Sequence, residues 1–195
     1  MALISRATQK LRSRLDLATL VPRERDRLAF VGDALPAGDP LLFDTGVYIH
    51  QLKGKAPLSL DGLVQRRIVN HSVVAVQEML HAVGVLDPAH AETKRNVEAI
   101  MEVLDSIPSH RLHTPTQDAM LEAAVHAGIL CRRQGYAKDR RMKALHDCVL
   151  YFQALQLGCT LLTANVVDFD FLQQVRPDGR VLFYQTCASA PARPR

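Results

Sequence analysis

The sequence predicts a three-layer α/β fold with a central, mostly parallel sheet. Three observations predict it. Segments of helical periodicity alternate with short runs of β-favouring residues. The two clearest runs, Leu41-Leu42-Phe43 and Cys159-Thr160-Leu161-Leu162, are nearly all apolar, as buried strands of a parallel sheet are. Both end abruptly in polar residues, Asp44-Thr45-Gly46 and Thr163-Ala164-Asn165. In parallel sheets ligands bind beyond the carboxyl ends of the strands, so these endings mark a candidate crevice.

The 195 residues suit one domain with a sizeable core. At 48% hydrophobic and 23% charged, the composition is globular. No apolar run is long enough to span a bilayer, and the N-terminus lacks the apolar core of a signal peptide, so a cytoplasmic protein with no membrane contact is expected. Cys131, Cys148, Cys159 and Cys187 form no CxxC pair and read as reduced core or near-core residues. The histidines show no HExxH spacing, and there is no P-loop and no GxGxxG, so neither a zinc site nor a nucleotide cofactor is suggested.

Residues 1–30 carry seven basic and three acidic side chains, enough to account for the whole net charge of +4. One or two short amphipathic helices, separated at Pro22, are expected there, in an arm that must pack on the body or on a partner. Its charge fits an acidic partner such as RNA as well as it fits a solvated arm. Gly32, Pro36, Gly38 and Pro40 then mark a linker. The division is an arm with its linker at 1–39, a body at 40–186 and a tail at 187–195 that is expected to be disordered.

The body opens on the Leu41–Phe43 strand. Val47–Leu52 and Leu60–Arg67 read as short helices, and Ile68-Val69 as a brief strand. Ser72 is a good N-cap for a helix whose stripe is Val73, Val76, Leu80 and Val83 and which ends at Gly84. Glu78 lies near its apolar side, either reaching outward or serving a site. His90–Ile107 is the next helix, stopped by Pro108, and Arg111–Thr114 a short strand. Thr116 caps a helix, after which Arg132, Arg133, Lys138, Arg140, Arg141 and Lys143 form a basic stretch, a solvated loop or a phosphate-facing rim. Lys143–Leu155 is an apolar helix with Asp147 in its first turn, where the helix dipole alone would favour a carboxylate. Gly158 ends it. The Cys159–Leu162 strand, a turn of helix at Val166–Leu172 holding Asp168, and a last strand at Val181–Tyr184 complete the body.

Asp44, Glu78, Asp147, Asn165 and Asp168 each fall where this topology can bring them to the carboxyl edge of the sheet. Hard oxygen donors of this kind suit Mg²⁺ or Mn²⁺, ions that support phosphodiester cleavage.

The pattern resembles the PIN-domain family, and within it the VapC-type toxins of toxin–antitoxin pairs. The resemblance rests on Phe43-Asp44-Thr45, on Ser72 to Leu80 with Glu78, on His146-Asp147 with its apolar helix, and on Gly158 to Asn165 followed by Asp168-Phe169. It covers roughly residues 40–185. It implies a three-layer α/β/α PIN-like fold and a metal-dependent endoribonuclease that leaves 5′-phosphate and 3′-hydroxyl ends. It further implies Asp44, Glu78 and Asp147 as the main acids, and Thr45, Ser72 and Thr163 as hydroxyls that orient them. A homodimer and a co-encoded antitoxin are implied as well. Two departures stand out. The family's fourth aspartate position is Asn165, with Asp168 either standing in for it or capping the following turn, and an arm precedes the first strand. Asn165 and the arm also fit a non-catalytic PIN-like module that binds RNA or a protein, and a housekeeping RNA-processing nuclease is a further reading.

Overall fold

A computed structural model describes residues 18–32 and 38–187. Helices expected within residues 1–17 and the tail at 188–195 lie outside the described residues. Five strands form one parallel sheet: β1 (Leu41–Phe43), β2 (Val69–Ser72), β3 (Leu112–His113), β4 (Thr160–Thr163) and β5 (Arg180–Phe183), in the order β3-β2-β1-β4-β5. The fold is therefore the α/β class that the alternation predicts. In register, Leu41 pairs with Val69 on one side and with Thr160 on the other. β1 and β4 are buried throughout, which is why their sequences lack the two-residue alternation of a half-exposed strand.

Seven helices cover the sheet among the described residues: α1 (Thr45–Leu52), α2 (Leu58–Arg66), α3 (Val73–Gly84), α4 (Thr93–Asp105), α5 (Gln117–Arg133), α6 (Arg140–Gln156) and α7 (Val166–Val175). α3 and α5 start where their caps predict. Ser72 accepts a hydrogen bond from the Val74 amide at 3.1 Å, and Thr116 one from Ala119 at 3.2 Å. α4 is shorter than its periodicity suggests, because His90 and Glu92 are taken up in turns before it. α6 is almost entirely buried from Asp147 to Ala154. Gly158 closes its C-terminus with φ 65°, a conformation that suits glycine, and lets Cys159 donate back to Ala154 at 2.8 Å.

One expectation for α6 needs correction. The helix begins at Arg140 rather than Lys143, because Asp139 and Arg140 continue a turn that the basic stretch had suggested was loop. Asp147 thus lies two turns inside, beyond the reach of the helix dipole. It is a buried carboxylate in a buried stretch, with no capping role to account for it.

Residues 20–31 form no α-helix. Pro22 and the lack of a sustained apolar stripe leave an extended segment with one 3₁₀ turn at Arg25–Arg27. The segment lies on the body. Phe30 bridges to Phe183 in parallel, with Val31 donating to the Phe183 carbonyl at 2.7 Å and Phe183 to that of Ala29 at 2.8 Å, so the β5 edge is covered rather than left open. Leu28 and Phe30 enter the core, and Arg23 clasps the fully buried Asp170 through its backbone N–H at 2.7 Å and its Nε at 2.5 Å.

Candidate functional site

The chain leaves β1 toward β2 and β3 on one side, then returns to lay β4 and β5 on the other. The carboxyl ends of β1 and β4 therefore face a topological switch point, the place where α/β sheets leave a crevice. Asp44 follows β1 there, and Thr163 and Asn165 close β4. Asp44 stands at the N-cap of α1 yet makes no cap bond with its side chain. Its Oδ2 instead accepts from Thr163 Oγ1 at 2.7 Å, and Thr163 Oγ1 accepts from the Asn165 amide at 2.9 Å. One hydroxyl thus fixes residues from both central strands.

α6 carries Asp147 across to the same place, and α3 carries Glu78. Together with Thr45, His50, Lys143 and Asn165, these acids line a cavity of about 460 Å³. Asp44 and Asp147 are both buried. Burial pushes the pKa of each above the usual carboxylate range; repulsion from Glu78 adds to both, and repulsion from Asp44 adds to that of Asp147. Glu78 differs. Burial alone would raise it, but hydrogen bonds from His146 and Thr45 hold it below its ordinary value. Thr45 Oγ1 donates to Glu78 Oε2, and His146 Nδ1 lies 2.9 Å from Oε1. Since an ionised carboxylate only accepts, that nitrogen carries the hydrogen.

Asn165 and Asp168 take clear positions. The Asn165 Nδ2 donates to Asp147 at 3.1 Å and to Asp168 at 3.0 Å. An aspartate there would place a third carboxylate at hydrogen-bond distance from Asp147 and Asp168, whereas the amide donates to both. Asp168 makes no capping bond; it accepts from the Tyr136 hydroxyl and from Asn165, and it sits 3.6 Å from both Arg140 and Lys143. These partners outweigh its burial and hold its pKa below the usual range. Ser72 bonds none of the acids. Beyond capping α3 it donates to Gln153 Oε1 at 2.5 Å, and Gln153 in turn donates to the His113 carbonyl at 2.9 Å. Its hydroxyl ties α3 to α6 and the β3 edge.

Two side chains of this neighbourhood, Tyr136 and His50, escape the sequence reading, and that reading gives His146 and Lys143 no particular acid to serve. Lys143 was legible in principle, four residues before Asp147 on the same helix face. Its Nζ lies 3.8 Å from Asp147 and 3.6 Å from Asp168. His50 hydrogen-bonds the Tyr184 hydroxyl at 2.8 Å, and burial, with Lys53 and Lys55 nearby, lowers its pKa. Of the basic stretch, Arg140 and Lys143 reach the site, whereas Arg133 donates to the Ala18 carbonyl at 2.6 Å.

Among the described residues, no three or more His, Cys, Asp or Glu side chains converge closely enough to cage a metal ion. Glu78 is drawn aside by Thr45 and His146, and Asp168 by Tyr136 and the two cations. What remains is Asp44 and Asp147, two crowded carboxylates on one cavity. That donor set fits Mg²⁺, which keeps most of its waters and is usually held by one or two carboxylates rather than a protein cage.

No family model matches the sequence, and no curated protein matches it. Solved structures do. VapBC2 from Rickettsia felis, bound to a DNA fragment from their promoter, aligns with a TM-score of 0.50 at 13% identity, over 74% of this chain and 97% of that one. FitAcB from Neisseria gonorrhoeae aligns at 0.50 and 17% identity, covering 73% and 96%. FitAB bound to an IR36 DNA fragment aligns at 0.51 and 18%, covering 74% and 94%. The fold of this chain is the VapC-like PIN-domain fold.

Proposed function

We propose that this chain is a metal-dependent endoribonuclease and the toxin of a toxin–antitoxin pair. The observation that carries the reading is the convergence of Asp44, Asp147 and Glu78 on one cavity at the switch point of a VapC-like PIN fold. Asp44 and Asp147 would hold a Mg²⁺ or Mn²⁺ ion, with Glu78 and the Asn165 amide at its margin. When bound, the ion supplies a lowered pKa for water and neutralises charge on the phosphate and the leaving oxygen. The chain's own residues do the rest. Thr163 fixes Asp44, Thr45 and His146 fix Glu78 in its ionised form, and Arg140 and Lys143 present positive charge to the phosphate backbone at the cavity's edge. Water attack on phosphorus would break the P–O3′ bond, leaving 5′-phosphate and 3′-hydroxyl ends.

The FitAB and VapBC2 structures are two-component complexes bound to DNA. By analogy, this chain would take a small protein partner and act as a homodimer in the cytoplasm. A groove of about 1160 Å³ supports the partner: it is formed by α1, α3 and α4 and lined by Ile49, Leu52, Met79, Leu86, Ile100 and Val103. α4 buries none of its residues fully, although Ile100, Val103 and Leu104 pack against the core, so part of its apolar stripe is left for a partner to cover. No helix among the described residues is long and apolar enough to cross a membrane.

A second reading, a non-catalytic RNA- or protein-binding module, draws on Glu78 and Asp168 being occupied by neighbouring side chains. One assay separates the two. Purified protein, freed of any co-purifying partner, is incubated with a pool of structured RNA in Mg²⁺, in Mn²⁺ and in EDTA, beside Asp44→Ala and Asp147→Asn. Metal-dependent cuts that vanish in both folded variants are expected. Cuts that survive either change sink that residue's role, and the absence of any cutting favours the module.

A further inference from the structure

The acids of the cavity share one cation. Lys143 Nζ stands 3.8 Å from Asp147 Oδ2 and 3.6 Å from Asp168 Oδ2, and it lines the cavity beside Asp44 and Glu78. Its charge lowers the pKa of all four carboxylates. Other partners are local: Arg140 reaches Asp168 at 3.6 Å, and the His146 ring hydrogen-bonds Glu78. The Lys143 side chain is 56% exposed, on a flexible stem that can leave without repacking the core. Asn165, neutral where the PIN resemblance expects an acid, removes one negative charge from the same place and makes a single ammonium go further.

We infer that Lys143 is the site's resident counter-cation, whose ammonium, held between Asp147 and Asp168 at the cavity's edge, occupies the charge position that a divalent ion takes over and so weakens the affinity for that ion. The inference rests on the metal-site reading of Asp44 and Asp147. Lys143 is a positioning residue in this role; it sets how readily the acids accept a second cation. Two cations within a few ångströms of the same carboxylate repel, and the carboxylate's attraction is divided between them. Removing the lysine therefore frees Asp147 for the incoming ion. Replacing it with arginine keeps the charge.

The test is calorimetric titration of the intact, RNA-free protein with Mn²⁺ alone, for the wild type, Lys143→Gln, Lys143→Arg and Lys138→Gln, with circular dichroism to confirm folding. Lys143→Gln is expected to bind Mn²⁺ about tenfold more tightly, the size of one lost charge repulsion at partly screened distance. Lys143→Arg and Lys138→Gln should stay within about threefold of wild type, since both keep the ammonium's charge or leave it untouched. Should wild type take up no measurable Mn²⁺, binding that emerges in Lys143→Gln also supports the inference. Unchanged or weaker binding in Lys143→Gln, or no binding in any protein, overturns it. If Lys143→Gln does not fold, Lys143→Met is used instead, with the same criteria. The nuclease reading fails separately: Mn²⁺ uptake without RNA cleavage sinks that reading and leaves the counter-cation role standing.

Discussion

Asp147 is where the electrostatics of this chain are most strained. Its carboxylate is buried, crowded by Asp44, and raised in pKa, so the fold holds a proton that the unfolded chain has already lost above its ordinary value of 3.8. The folded state then binds more protons than the unfolded one, and stability falls as pH rises through that window. Asp147→Asn removes the cause. Without divalent ions the variant should be more stable than wild type by roughly 1 kcal/mol near neutral pH, the ordinary size of a single-site effect, and the difference should widen as pH climbs above the ordinary value of 3.8. Denaturant titrations of both proteins across that range check it; an advantage that shrinks with pH would mean Asp147 is stabilised by its surroundings. Glu78 makes the opposite case, since its surroundings keep it charged. Thr45→Val takes away one of its two donors and should lower cleavage efficiency about 10- to 100-fold, as loss of a group that orients a ligand usually does. The measurement is kcat/KM on a defined RNA, and an unchanged value would place Glu78 outside the chemistry.

At the scale of elements, α6 matters most. It carries Asp147, His146 and Lys143 on one stretch and packs on α5, α7 and the sheet. Its far end is anchored by Tyr151, whose hydroxyl donates to the Arg176 carbonyl and accepts from the Gly179 amide at 3.1 Å. A Cβ on Gly179 would overlap the fully buried Tyr151 ring, so Gly179→Ala is expected to cost about 1–3 kcal/mol through overpacking alone. Thermal unfolding of the variant tests this; no loss would show that the turn before β5 yields freely. The element reading from sequence succeeded where a cap or a glycine punctuates the chain, as at Ser72, Thr116 and Gly158. It failed at the start of α6, because Arg140, Arg141 and Lys143 are charged and, like Met142, exposed, and their helicity is imposed by the buried run that follows.

For the molecule as a whole, the proposed site couples to stability. An ion that binds only the folded chain stabilises it by mass action, by about 2.7 kcal/mol at a concentration 100 times its dissociation constant. Mg²⁺ or Mn²⁺ should therefore raise the melting temperature of wild type, EDTA should reverse the rise, and the Asp44→Ala, Asp147→Asn double variant should show none. A shift that persists in the double variant would place the ion elsewhere. The segment at residues 20–31 belongs to this scale too. Residues 1–30 read as one or two amphipathic helices parted at Pro22; residues 20–31 are instead an extended strap that covers the β5 edge and buries Leu28 and Phe30.

The sequence by itself determined the α/β class, the order of strands and helices, and the residues that stand at strand ends, because those follow from periodicity, capping and turn chemistry, all local. With the PIN resemblance it also implied Asp44, Glu78 and Asp147 as the acids to watch. Only the tertiary structure decided how they are shared out. That Thr163 joins two strands, that His146 and Thr45 draw Glu78 aside, that Asn165 bridges two carboxylates, and that Lys143 serves the whole cluster depend on distances across the switch point. Such distances are set by how β1 and β4 pair and how α6 lies over them, and linear order carries no measure of that.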